Sequence, residues 1–214
     1  MRRFVVLLSL LCCAVPLAAQ VVTSSLTITR DGVNAGLERY TVSPGTDAGS
    51  STITSVAKYP AAQPTEQYQA TLEQDRDHRP ATFILIGDGG QGPVKALAGL
   101  ARGRLTIKTS RGQIETGREL PASPNMVLLD ERLLAFYLPV AALATADGAT
   151  LTGVYPRTGR VVTFTARLAA GPQGGVRTVT LTGGLTGTIT LGASGEITRI
   201  DLPSEHVVAA RVPS

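Results

Sequence analysis

Cysteine, tryptophan and histidine are nearly missing from the 214 residues: two cysteines, no tryptophan, two histidines, and only 4% aromatic residues. Both cysteines, Cys12 and Cys13, fall in the first apolar stretch, so the rest of the chain can build neither a disulfide framework nor a Cys-ligated zinc site. With only His78 and His206 there is no H-E-x-x-H pair, and any histidine chemistry must use one of those two. Gly192-Ala193-Ser194-Gly195 carries half of a G-x-S-x-G elbow and is flanked by strand patterns, which makes it a hairpin turn. Ile86-Gly87-Asp88-Gly89-Gly90-Gln91-Gly92 lacks the Lys-Ser/Thr ending of a phosphate loop. Asp75 and Asp77 share the first spacing of a calcium loop without its later Gly and Glu. These absences leave no cofactor or metal to expect. The 23 glycines and 13 prolines follow no triplet, which excludes collagen.

The N-terminus reads as a cleaved secretory signal peptide over residues 1–19. Arg2 and Arg3 form the positive region, Phe4 to Val15 the apolar region, and Pro16-Leu17-Ala18-Ala19 the small-residue cleavage site before Gln20. Twelve apolar residues are too few for a stable span. A lipoprotein leader is the competing reading, but Leu11 precedes Cys12 and Cys12 precedes Cys13, where acylation wants a small residue. Removal of the leader takes Arg2 and Arg3 with it, and the net charge drops from +4 to +2. So small an excess is no nucleic-acid footprint. The expected location is periplasmic or secreted.

What fills the remaining chain is alternation. Leu26-Thr27-Ile28-Thr29, Tyr68-Gln69-Ala70-Thr71-Leu72, Phe83-Ile84-Leu85, Leu105-Thr106-Ile107, Val162-Thr163-Phe164-Thr165, Arg177-Thr178-Val179-Thr180-Leu181 and Leu185 to Leu191 all repeat with period two. That period sends aliphatics to one sheet face and threonines to the other. About a dozen strands are expected. Arg30-Asp31-Gly32, Ser110-Arg111-Gly112 and Ser194-Gly195 supply tight turns, while Asp75 to Pro80 and Pro156 to Arg160 separate further runs. Antiparallel hairpins follow, in a long meander. Ser43 to Ser51 is short enough for a hairpin loop, so residues 20–214 form a single β-rich domain.

One stretch breaks the period. From Asn125 to Thr145 the apolar residues Leu129, Leu133, Phe136 or Tyr137, Val140 and Ala144 line one side of an α-helix. A helix near 130–138 is expected, with Asp130 as its cap, Glu131 in its first turn, Pro139 ending or kinking it, and a second short turn reaching 145. A lone apolar helix in a strand meander packs on the concave face of a curved sheet. The fold class is therefore mainly β: a single curved antiparallel sheet, a half-barrel or open barrel, wrapping one apolar helix.

A signal peptide, an opening strand pair, a long meander, one apolar helical insert past the middle and a final strand set together resemble the bacterial envelope half-barrels. The periplasmic lipoprotein carriers of the LolA-like superfamily are the best known of these. Gly36-Leu37-Glu38-Arg39-Tyr40-Thr41-Val42 is similar to the second strand of several uncharacterised envelope proteins. The resemblance implies an apolar interior that takes lipid or acyl chains.

Three functional readings follow. In the first, a non-enzymatic envelope protein holds a lipid or acyl ligand, or a lipidated partner protein, against Leu129, Leu133, Phe136, Tyr137 and Val140. In the second, a secreted hydrolase uses Asp75, Asp77 and His78 as acid and base. The third is a passive partner-binding scaffold. Separately, Arg102, Arg104 and Lys108 share strand parity and offer a cationic face to an anionic envelope surface.

Overall fold

The computed structural model describes residues 21–90, 92–169 and 175–213; the leader assigned to residues 1–19 lies outside them. Among the described residues fifteen strands form one sheet. The first eight are β1 (Val22–Arg30), β2 (Val33–Pro44), β3 (Ser51–Tyr59), β4 (Glu66–Gln74), β5 (Pro80–Gly89), β6 (Gly92–Ala101), β7 (Arg104–Arg111) and β8 (Ile114–Pro121). The rest are β9 (Met126–Leu128), β10 (Ala149–Val154), β11 (Val161–Ala169), β12 (Arg177–Gly183), β13 (Gly187–Leu191), β14 (Ile197–Leu202) and β15 (Val207–Arg211). Neighbours pair antiparallel throughout, with β15 beside β1, except that β9 lies parallel to β10.

Connectivity forces this sheet to curl. β8 and β9 are its opposite edges, yet residues 122–125 alone join them. Five Cα steps reach at most roughly 18 Å, so the two edges must come close together. They do: β9 packs against β5, and all three of its residues are buried. Outside β9, Thr109 Oγ1 donates to the Pro156 carbonyl at 2.9 Å and Arg118 Nη1 to the Gly159 carbonyl at 2.5 Å. The β7–β8 ribbon thereby laps over the β10–β11 turn. Register shifts at Ile28/Thr29, Glu73/Gln74 and Thr190/Leu191 add the extra local twist a curled sheet needs.

The alternation seen in the sequence fixes which face looks inward. Leu26, Ile28, Ile53, Leu72, Phe83, Leu85, Leu105, Val179, Leu181, Ile189 and Ile200 are buried, and the intervening threonines face out. Small inner residues, Ala57, Ala70, Ala96, Ala98 and Ala166, leave lumen volume that the segment after β9 fills. That segment runs as a 3₁₀ turn over Leu134–Tyr137 and a short helix α1 (Leu138–Leu143). The expected helix over 130–138 is thus corrected: α1 begins where that helix was to end. Pro139 sits in the first turn of α1, where its missing N–H costs nothing and its fixed φ suits entry into a helix. Asp130 is not a helix cap either; its Oδ1 accepts the Arg132 N–H at 2.7 Å, in the extended chain ahead of the 3₁₀ turn.

The cap comes instead from the sheet. Glu38 on β2 points inward and is fully buried. Its carboxylate accepts the Leu134 N–H at 2.7 Å, the Ala135 N–H at 2.9 Å and the Ser55 hydroxyl of β3 at 2.6 Å. Those two amides are orphan donors at the start of a helical turn, and no side chain of the turn itself meets them. Burial pushes the Glu38 carboxyl up from 4.5 to about 7; the three hydrogen bonds pull the other way, and nearby Asp130 adds to the rise.

The folded state consequently holds the Glu38 proton more tightly than the unfolded chain, so this group lowers stability as pH climbs from about 5 to about 8. Urea titrations should show that decline in the unmodified protein and its absence in Glu38→Gln, which keeps an acceptor without the charge. Glu38→Leu orphans both amides and should cost about 3 kcal/mol at pH 6. Equal stability of Glu38→Leu and the unmodified protein would contradict the capping role.

Candidate ligand-binding site

The two mouths of the curled sheet are built differently. At one, the crossing segment enters through a set of charges. Asp130 is 1% exposed and pairs with Arg157, 9% exposed, at 2.9 Å; the same guanidinium reaches Glu131 at 3.1 Å. Arg160 pairs with Glu205 at 2.8 Å and lies 4.0 Å above the Tyr155 ring. Arg30 donates to the Glu131 carbonyl. Tyr59 donates to the Arg132 carbonyl at 2.5 Å, under the Arg132 guanidinium. The Tyr59 ring lies flat over Gly36, where a Cβ would stand 2.4 Å from it, so glycine is required for that approach. The entering chain is tied down at Asp130, Glu131 and Arg132, beside a small cavity of about 220 Å³ bordered by Glu66, Tyr68, Arg132 and Arg157.

The other mouth is open. There the ends of β1 to β4, the exposed side of α1 and the β13–β14 turn enclose a cavity of about 390 Å³. Its walls are mostly apolar: Val22, Val42, Ile53, Leu138, Pro139, Ala142 and Leu191, with Tyr40 behind them. The Tyr40 hydroxyl accepts the Ile197 N–H at 2.9 Å, which ties β2 to β14 across the intervening β1 and β15. The polar groups gather at the rim: Ser51, Gln74, His78, Arg177, Ser194 and Glu196. Glu196 accepts from Arg211 at 2.5 Å and from the Ser194 hydroxyl at 2.6 Å; the Ser194 hydroxyl above all holds its carboxyl below the usual carboxylate range.

Leu129, Leu133, Phe136, Tyr137 and Val140 are all buried to 1% exposure or less. Phe136 packs edge-on against Phe83 of β5 at 5.3 Å, and the Tyr137 hydroxyl lies 3.3 Å from that of Tyr155. They hold the segment inside the sheet, while the cavity is lined by its other side, Leu138, Pro139 and Ala142. Burial pushes the Tyr137 hydroxyl well up.

In the β4–β5 loop, Asp75 Oδ1 accepts the Asp77 and Arg79 N–H groups at 2.9 Å each, and His78 adopts φ 59°. Gln74 Nε2 donates to the His78 carbonyl at 2.8 Å, so this loop is organised as a turn that carries His78 to the cavity rim. Among the described residues no three His, Cys, Asp or Glu side chains gather as metal ligands. Arg104 and Lys108 share the outer face of β7, with Arg104 paired to Glu119 at 2.7 Å. Arg102 does not join them on that strand; it occupies the β6–β7 turn with φ 51°, the left-handed position a tight hairpin requires.

Sequence reasoning missed Glu38, Arg157 and Arg177. Glu38 had left a trace, since it shares parity with Gly36 and Tyr40 on the inward face of its strand.

The chain matches no family model and no curated protein. Solved structures do resemble it. One is the β-barrel-like protein of a domain of unknown function, DUF1849, from Brucella abortus: 14% identity, TM-score 0.55, covering 92% of this chain and 96% of that one. Another is a DUF1089 family protein from Pseudomonas aeruginosa, at 13% identity and TM-score 0.44, covering 94% and 97%. The first likeness establishes a barrel-like fold over nearly the whole chain.

The charged mouth makes its own prediction. Arg157→Leu leaves the buried Asp130 carboxylate without its cation, and the protein should lose about 3 kcal/mol in urea unfolding at pH 7. A loss below about 0.5 kcal/mol, the range of surface ion pairs, would show that this pair does not hold the entering chain.

Proposed function

We propose that the protein is a non-enzymatic envelope binding protein that holds an apolar ligand, a lipid or the acyl chain of a lipidated partner, in the open mouth of its curled sheet. The observation that carries this reading is the cavity of about 390 Å³ beside α1. It falls within the roughly 300–1,000 Å³ of small-molecule sites, and it has the usual makeup of apolar walls with a few polar groups at one side. Each buried methylene of a ligand would contribute about 0.8 kcal/mol, so a single chain suffices for useful affinity. The leader expected over residues 1–19 supports a periplasmic or secreted location, and the LolA-like carriers offer an analogy for a curved sheet that shields acyl chains. Sheet and segment are locked together by Glu38 and the charge cluster, which fits a preformed site rather than one assembled by the ligand.

A hydrolase built on Asp75, Asp77 and His78 is the weaker reading. The Asp75 carboxylate oxygen that would orient a base is occupied by two backbone amides.

Ala142 tests the site. It is exposed on α1 and faces the cavity, so Ala142→Phe fills the mouth without touching the core. Titration with a fluorescent fatty acid should show saturable binding to the unmodified protein and at least tenfold weaker binding to Ala142→Phe, with no change in Tm. No binding to the unmodified protein, or binding unaffected by Ala142→Phe, would sink the proposal.

A further inference from the structure

We infer that the occupant of this cavity is an anionic single-chain amphiphile whose headgroup sits on Arg177, an inference that rests on the cavity being the binding site. Arg177 opens β12 in the same parity as Val179 and Leu181, both buried in the core, so its side chain issues from the inner face of the sheet at the rim. Its guanidinium lies over Gly195, 3.7 Å from where a Cβ would stand, and both residues border the cavity. Among the described residues no carboxylate pairs with it, whereas eight other arginines, Arg132 and Arg211 among them, do pair with a carboxylate. The segment just before it, Ala170 to Gly174, contains no acidic residue.

Among the described residues the one carboxylate lining the cavity is Glu196, and Arg211 already neutralises it at 2.5 Å while Ser194 donates to its other oxygen. The rim therefore carries one surplus positive charge, at the end of an otherwise apolar wall. A planar guanidinium with free donors recognises a carboxylate or phosphate oxygen pair. The volume, near the low end for ligand pockets, suits one chain better than two. Together these describe a chain lying between Ile53, Leu138 and Leu191 with an acidic head at Arg177.

The test is calorimetric titration of the protein purified from its own envelope and delipidated, with dodecanoate, dodecyl phosphate and dodecanol as probes. Either anion should bind at least tenfold more tightly than dodecanol, and the tighter of the two assigns the headgroup as carboxylate or phosphate. Arg177→Gln should erase that preference while dodecanol binding and Tm stay as they were. In the unmodified protein, raising salt should weaken anion binding and leave dodecanol binding in place. Equal binding of all three probes, or a preference that survives Arg177→Gln, overturns the Arg177 headgroup site and leaves the apolar cavity standing. Failure of every probe to bind overturns the cavity reading itself.

Discussion

A single buried carboxylate determines how the inside of this protein is filled. A curled sheet with small inner side chains has a lumen, and a lumen must be filled by chain, by ligand or by water. Here chain enters as a 3₁₀ turn whose first amides have no partner of their own. Glu38, projecting from β2, meets both of them and is itself fixed by Ser55 of β3. The position of Leu134 and Ala135 then dictates where Phe136 meets Phe83, where Tyr137 meets Tyr155, and how far α1 extends toward the opposite mouth. Desolvating Glu38 is costly, and the hydrogen bonds it accepts offset that cost in a place where no solvent can.

The two mouths follow from that placement. The segment before the 3₁₀ turn carries Asp130, Glu131 and Arg132, and each is met by a partner on a surrounding strand or turn. At the far end Leu138, Pro139 and Ala142 of the six-residue α1 line an apolar cavity. One end of the barrel is thereby lined by paired charges and the other by a mostly apolar cavity.

Much of the fold was legible because period-two alternation reports directly on which face of a strand is buried. The Thr-rich runs, the Asp-Gly and Arg-Gly turns and the curved sheet around one apolar segment all reappear in the structure. The helix limits did not, because Pro139 can either end a helix or begin one, and the choice was made by Glu38 capping from ninety-six residues away. Arg102 was assigned to a strand that closes into a turn beneath it. The cavity was not readable at all: Val22, Ile53, Leu138 and Leu191 meet only after the sheet has rolled up, and no local spacing announces that. The residues singled out for ligand contact instead form the buried side of the segment, since an apolar stripe marks the core face whatever lies on its other side.

The central claim, that the open mouth holds an acyl-bearing ligand, is tested most directly by native mass spectrometry of the protein purified from the cells that make it, followed by organic extraction of whatever is bound. The account predicts a one-to-one adduct whose extracted component carries a single chain and an acidic head. A bare protein mass that stays bare after incubation with added lipids would contradict it and leave a partner-binding scaffold in its place.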